Sequence, residues 1–343
     1  HYHTLGWAVT AVTRDAKAVD SHFAACGIPL RHILFGGYTD MGSIWGMGRM
    51  LKECAKGTIV HVHRYCDAFT VLAAKRLVCR PDVLVVATCH TVAPGRDTWL
   101  FRRLYNKINA HIFVSQTAKD TFLSTWRDNR VPIPADRMYM LHDSVNLDDV
   151  KPSAEPPRGP VTALCHGTIV EGKGLENVID ALSVLTRRGV KMRLRIAGYG
   201  DPDYIDDLRR RAITRGVMDK IDWIIPPGDI LLLIGESHFG VQPSVRREAF
   251  GLESLRYMAC GRPQVCVPNG AQSEYLTDGV TAIFAPPNDS SRLADAMQRL
   301  AEDPQLRLEM GTASRRRYEE NQDWNKFIEE LDRIYSKFVD DKQ

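Results

Sequence analysis

Short runs of β-branched residues alternate with longer amphipathic segments along almost the whole chain, and this alternation limits what it can fold into. Strand-like runs fall near 31–35, 58–63, 83–89 and 110–114, and helix-period segments lie near 42–56, 67–79, 97–109 and 116–126. Strands separated by helices run parallel, because a parallel pair needs a crossover, and helices must then cover both faces of the sheet. The rhythm breaks at Ser153-Ala154-Glu155-Pro156-Pro157-Arg158-Gly159-Pro160, where four of the last five residues are Pro or Gly. That stretch reads as an interdomain linker.

Beyond it the pattern resumes, with strands expected at 161–167, 191–197, 221–225, 239–242, 264–267 and 281–284 and helices at 175–188, 203–215 and 252–260. Three further helical patterns, at 290–302, 304–320 and 324–339, close the chain. In the last of them Trp324, Phe327, Ile328, Leu331, Ile334 and Tyr335 recur on one stripe. The expected fold class is α/β, with two Rossmann-like domains facing across a crevice. Residues 1–148 form the first, residues 149–321 the second, and 322–343 a helix packing back toward the first. The opening strand, 5–13, has no unit before it, so more chain is expected upstream of His1; the resemblance described below implies that this is a first βα unit.

Composition narrows the function. A chain of 343 residues suits two domains, and no stretch of about 18 uncharged apolar residues is present to span a bilayer. A net charge of +3 argues against a nucleic-acid partner, and the basic runs 209–211 and 315–317 read as solvated helix faces. Eight cysteines without a Cys-x-x-Cys pair suit a reducing cytoplasm. Arg102, Arg103 and Lys107 could face an anionic acceptor or the inner face of a membrane in peripheral contact, although a solvated face explains them better. A monomer or homodimer is expected.

In open α/β sheets ligands bind beyond the carboxyl ends of the strands, so the loops after strands carry the chemistry. Gly167-Thr168-Ile169-Val170-Glu171-Gly172-Lys173-Gly174 leaves a strand and opens a helix, with a lysine at the helix start where phosphate binds well. Ala197-Gly198-Tyr199-Gly200-Asp201 reads as a Gly-x-Gly turn after a strand; it lacks the third glycine of a dinucleotide fingerprint, which argues against a nicotinamide enzyme. In the segment 242–263, Glu248 precedes Gly251 and a helix, which would let a carboxylate meet hydroxyls while first-turn amides meet phosphate.

Together these stretches resemble glycosyltransferase family 4, of GT-B architecture. The segment 242–263 looks like its Glu-x7-Glu block, 167–174 like its G-R-L-V-x-x-K-G turn, 197–201 like A-G-x-G, and 268–282 like G-G-x-x-E-x-x-x-D-G. In the first half, 59–63 looks like V-H-x-H, 86–90 like a T-x-H strand end, 113–115 like V-S, and 141–146 occupies the place of the I-P-N-G-V-D hinge. The resemblance implies a retaining glycosyltransferase that moves a sugar from a nucleoside-diphosphate sugar to a glycan, lipid or small-molecule acceptor. Lys173 would neutralise the diphosphate, Glu248 would hold sugar hydroxyls, and the amides of Phe250, Gly251 and Leu252 would bind phosphate. His90 would face the reacting carbon, and Gly167, Thr168, Gly198 and Gly200 would let the donor approach. On the acceptor side His63 and Arg96 are candidates. His61 and His63 are expected on opposite faces of their strand, one of them a core histidine. No cofactor or protein-bound metal is expected, on the view that no strand-end loop offers an Asp-x-Asp pair.

Two departures stand out. Thr168 replaces the family's arginine beside the diphosphate, and Arg256 replaces the second signature glutamate, which accepts bonds from ribose hydroxyls. A guanidinium only donates, and it binds phosphate well. The donor could therefore be a non-nucleotide phosphorylated sugar diphosphate, or the chain a non-catalytic sugar-nucleotide-binding relative. Glu253 could instead supply the missing carboxylate, although a helical wheel turns it about 60° from position 256.

Overall fold

The computed structural model describes residues 1–14, 20, 23–37, 40–126, 130–147, 150, 159–321 and 324–339. The expected linker therefore lies, apart from Gly159 and Pro160, outside the described residues. In the first half β1 (Ala11–Thr13) pairs in parallel with β2 (Leu30–His32). Next come α1 (Met41–Glu53), β3 (Ile59–Val62), α2 (Tyr65–Leu77), β4 (Leu84–Cys89), α3 (Trp99–Tyr105), β5 (Ala110–Phe113), α4 (Gln116–Leu123) and β6 (Met138–Met140). β3 to β6 form one parallel sheet in sequence order. β4, a continuous apolar run, is buried along its whole length, as a central parallel strand must be.

The second half builds β7 (Val161–Ile169), α5 (Leu175–Arg187), β8 (Met192–Gly200), α6 (Pro202–Thr214), β9 (Ile221–Ile224), α7 (Ile230–Gly235), β10 (Phe239–Gln242), α8 (Leu252–Ala259), β11 (Gln264–Cys266), α9 (Gln272–Tyr275) and β12 (Ile283–Phe284). Its sheet runs β9-β8-β7-β10-β11-β12, all parallel. This is the doubly wound order, in which the chain reverses direction of travel between β7 and β10 and leaves a crevice at their carboxyl ends.

Three helices finish the described chain: α10 (Ser290–Glu302), α11 (Pro304–Asn321) and α12 (Trp324–Val339). From α12, Leu331, Ile334 and Tyr335 pack against Val86, Ala110, Ile112 and Leu141 of the first sheet, and Tyr2 Oη donates to Asp332 Oδ1 at 2.7 Å. The two halves also share a core, since Val114, Ala118 and Leu147 pack with Phe250, Leu255 and Tyr275. None of the helices among the described residues is long and apolar enough to cross a membrane.

Two expected turns are corrected. The strands were expected to end at Gly167 and Ala197, but β7 and β8 continue together to the pairs Gly167↔Gly198 and Ile169↔Gly200. The glycines make this pairing possible: a Cβ on Gly198 would lie 1.8 Å from Gly167 O, and one on Gly200 2.2 Å from Ile169 O. The Gly-x-Gly spacing therefore records a close approach within the sheet.

Candidate active site

The donor side is assembled where β7 and β10 diverge. Gly174, with φ +73°, starts α5, and Gly251, with φ +97°, starts α8, so two helix N-termini open at this crevice. The loop after β10 is tied to the loop after β7 because the amides of Val245 and Arg246 both donate to Gly172 O at 3.0 Å. Tyr257, fully buried in α8, donates to Leu164 O at 2.7 Å and so anchors that helix onto β7. Gly240 leaves room for the Tyr257 ring on β10.

Within this frame Lys173 and Glu248 meet. Lys173 Nζ donates to Glu248 Oε1 at 2.9 Å and to Glu253 Oε1 at 3.4 Å. Ser244 Oγ donates to the same Glu248 oxygen at 2.6 Å. Burial alone would depress the ammonium, but Glu253 and Glu248 outweigh it and hold Lys173 above its usual pKa. A cationic side chain held by two carboxylates beside two helix starts is arranged to exchange one anionic partner for another.

A pocket opens here, lined by His166, Gly167, Thr168, Lys173, Gln242 and Glu253 among others. His166 Nδ1 lies 2.8 Å from Tyr257 Oη, whose own proton goes to Leu164 O, so Nδ1 carries the hydrogen and Nε2 is left as an acceptor. Among the described residues His166 Nε2 and Gln242 Nε2 are buried without a partner, so an acceptor and a donor are left for a ligand or water to satisfy. Burial, then Arg256, then Lys173 push the His166 imidazole down to about 3.

Glu253 is the alternative carboxylate offered by the sequence. Glu253 reaches the pocket: a Cβ on Gly167 would sit 2.8 Å from its Oε1. Arg256 is half-buried, and among the described residues it has no hydrogen-bond or ion-pair partner. Phe250 is buried in the core shared by the two halves, while Gly251 and Leu252 are partly exposed at the start of α8.

The first sheet contributes the opposite wall. His90 Nδ1 lies 3.1 Å from Asp143 Oδ2, and His90 Nε2 lies 3.0 Å from His63 Nδ1. His61 and His63 are not on opposite faces of β3. Two residues apart on a strand means one face, and their rings stack at 4.7 Å. His61 is held by Tyr335 Oη and Thr88 Oγ1, both at 2.6 Å, and burial, then His63, then His90 push its pKa down to about 3. Arg96 is exposed and lies over the Phe101 ring at 5.2 Å, outside this cluster.

Glu274 joins the halves. Its carboxylate accepts from the amides of Gln116 and Thr117 at 2.9 and 2.8 Å and from Thr117 Oγ1 at 2.7 Å, at the start of α4. It also lies 3.7 Å from His142 Nε2, and the His142 ring is 5.4 Å from that of Phe250. The sequence reading gave Ser244, Asp143 and Glu274 no role; the contacts of Asp143 with His90 and of Glu274 with Gln116 and Thr117 join residues far apart in the chain. It also overlooked Asp201-Pro202-Asp203, an Asp-x-Asp directly after β8. Asp201 Oδ1 there accepts from the amides of Asp203 and Tyr204 and caps α6. Among the described residues no group of three or more His, Cys, Asp or Glu is placed to hold a metal ion.

Both halves match family models: residues 1–149 that of Glycosyltransferase Family 4, and residues 148–317 that of Glycosyl transferases group 1. Fold and crevice together define a two-domain glycosyltransferase of GT-B type. An alpha-D-kanosaminyltransferase from Streptomyces kanamyceticus is 26% identical over 80% of this chain and 78% of its own, and a phosphatidyl-myo-inositol mannosyltransferase from Mycobacterium leprae is 27% identical over 73% and 66%. The chain belongs to glycosyltransferase family 4. In fold it is similar to a glycosyltransferase from Rickettsia africae ESF-5 (TM-score 0.81, 18% identity, 98% and 92% coverage). It is also similar to Anabaena HepE in complex with UDP and glucose (TM-score 0.79, 16% identity, 95% and 91% coverage).

Proposed function

We propose that this enzyme transfers a sugar, with retention of configuration, from a nucleoside-diphosphate sugar to a glycan, lipid or small-molecule acceptor. The observation that carries this reading is Lys173, held between Glu248 and Glu253 at the junction of two helix N-termini. Donor diphosphate would take over Lys173 and the first-turn amides of α8, and the leaving charge would be stabilised there without a protein-bound metal. Glu248, released from the lysine, would accept from sugar hydroxyls. HepE, a similar fold found with UDP and glucose, supports a nucleotide donor. We place the reaction in the cytoplasm. Peripheral contact with a membrane is supported by Trp99 and Leu100, 70% and 54% exposed on α3, with Arg103 4.9 Å over the Trp99 ring.

The test is a thermal-shift panel of UDP, GDP, ADP, UDP-glucose, GDP-mannose and phosphoribosyl diphosphate, since a ligand that binds only the folded state raises Tm. One nucleoside diphosphate and its sugar should stabilise the protein, and NMR of the product should show the donor's anomeric configuration. Silence toward every nucleotide and sugar nucleotide would sink the reading. A second reading is favoured by Arg256, a half-buried guanidinium without a partner among the described residues: a donor carrying an additional phosphate. A response confined to phosphoribosyl diphosphate and lost in Arg256→Glu would select it.

A further inference from the structure

The donor cleft contains a buried imidazole with one nitrogen unsatisfied. His166, in β7, is 7% exposed, and its Nε2 has no partner among the described residues. Leu164 and His166 are two residues apart on one strand and so share a face, which Tyr257 of α8 covers. Tyr257 Oη gives its one hydrogen to Leu164 O at 2.7 Å and therefore accepts from His166 Nδ1 at 2.8 Å. The two rings meet edge-on at 4.8 Å, so the imidazole is held in orientation as well as in tautomer. Gly240 makes this possible, since a Cβ there would lie 2.5 Å from the Tyr257 ring.

Gln242 supplies the complementary group. β10 pairs with β7 through Gly240↔Leu164, so Gln242, two residues on, comes beside His166 where the two strands part, and both line the same pocket. Its Nε2 is also buried without a partner among the described residues. A bare imidazole nitrogen only accepts and an amide nitrogen only donates. A hydroxyl answers both, giving its hydrogen to His166 Nε2 and taking one from Gln242 Nε2, whereas a phosphate oxygen or a carboxylate has no hydrogen to give. Burial, then Arg256, then Lys173 disfavour a cationic His166, so Nε2 stays an acceptor at neutral pH.

Position in the cleft identifies the hydroxyl. Lys173 and Glu253 line the pocket together with His166 and Gln242, whereas Glu248, the carboxylate assigned to the transferred sugar, is not among the lining residues. A nucleoside-diphosphate sugar carries its sugar on one side of the diphosphate and its ribose on the other. With the diphosphate at Lys173 and the sugar at Glu248, the group that reaches His166 is the ribose. Resting on the nucleoside-diphosphate reading, we propose that His166 is a specificity-determining residue that, with Gln242, reads one ribose hydroxyl of the donor, and that Tyr257 is the positioning residue that fixes its tautomer.

Calorimetry on the whole chain tests this with the nucleoside diphosphate selected by thermal shift and with its 2′-deoxy and 3′-deoxy forms. The protein should bind one deoxy form about tenfold or more weakly than the parent, because that analogue leaves His166 Nε2 and Gln242 Nε2 unpaired. His166→Leu should erase the difference, and His166→Gln, whose amide oxygen reaches the place of Nε2, should keep part of it. Long-range nitrogen–proton NMR of ¹⁵N-histidine-labelled protein should show His166 protonated on Nδ1 and bare on Nε2. The Nε2 resonance should move when the parent nucleotide binds and stay in place with the weaker deoxy form. Tyr257→Phe should populate the Nε2-protonated tautomer and shrink the discrimination. A His166 protonated on Nε2 in the unsubstituted protein overturns the proposal whether or not any variant folds. An Nε2 resonance indifferent to a bound nucleotide also overturns it, the pair then holding only water, and so does equal affinity for all three ligands. If no nucleoside diphosphate binds, the functional reading fails and this proposal falls with it; a nucleotide that binds without engaging His166 leaves that reading standing and removes only the role of His166.

Discussion

Lys173 sets the charge balance of the donor cleft, and its partners are what single substitutions should expose. Charge-assisted hydrogen bonds contribute about 1.5–3 kcal/mol each, so Lys173→Met should weaken binding of the selected nucleoside diphosphate about 10- to 100-fold by calorimetry. Glu253 has two conceivable effects on a donor: repelling its diphosphate, or accepting from its hydroxyls. Because it is the carboxylate that lines the pocket while Arg256 is not among the lining residues, Glu253→Gln should weaken sugar-nucleotide binding about tenfold. Tighter binding would show that it acts only as a competing anion for Lys173. The residue types at 173 and 248 were legible in the sequence. That they bond each other, with Glu253 as the third member, was not, because positions 75 and 80 residues apart meet only through the sheet.

At the scale of elements, the joint between β7 and α5 depends on how closely two loops approach. Gly174 and Gly189 both have left-handed backbones, with φ +73° and +79°. A Cβ at Gly189 meets nothing within 4 Å, whereas one at Gly174 would lie 2.0 Å from Pro243 O. Gly189→Ala should therefore cost about 1–2 kcal/mol from backbone strain alone. Gly174→Ala should cost more and should also reduce donor affinity, with urea unfolding and calorimetry separating the two effects. Periodicity located the long helices and central strands within a few residues. It passed over β6, α7 and α9, which have three, six and four residues.

Across the whole molecule, Glu274 is the tie between the two sheets' loops, and it also supplies negative charge at the start of α4. Glu274→Ala should speed hydrogen exchange at the amides of Gln116 and Thr117 and raise the radius of gyration in solution scattering. Unchanged exchange would mean that the contact contributes nothing to closure. A second whole-molecule effect comes from half-buried His61 and buried His111 and His166, in different parts of the structure and pushed down to about 3, 4 and 3, in each case mainly by desolvation. Their folded pKa values lie below the unfolded value of about 6.5, so the unfolded chain binds more protons and stability falls as the pH drops below that value. Each histidine should remove up to about 1.4 kcal/mol per pH unit between pH 6 and 4. A urea midpoint that does not move between pH 7 and 5 would overturn this.

The sequence by itself determined the parallel α/β class and which strand-end loops are rich in Gly, Lys and Glu, because periodicity and loop chemistry are local properties of a chain. Only the tertiary structure decided that Glu253 reaches the pocket, that His61 and His63 share a face and hold different partners, and that Asp143 is joined through His90 to His63. Those arrangements depend on strand register, on the direction each side chain leaves its backbone, and on contacts between residues far apart in the chain, none of which a linear pattern records.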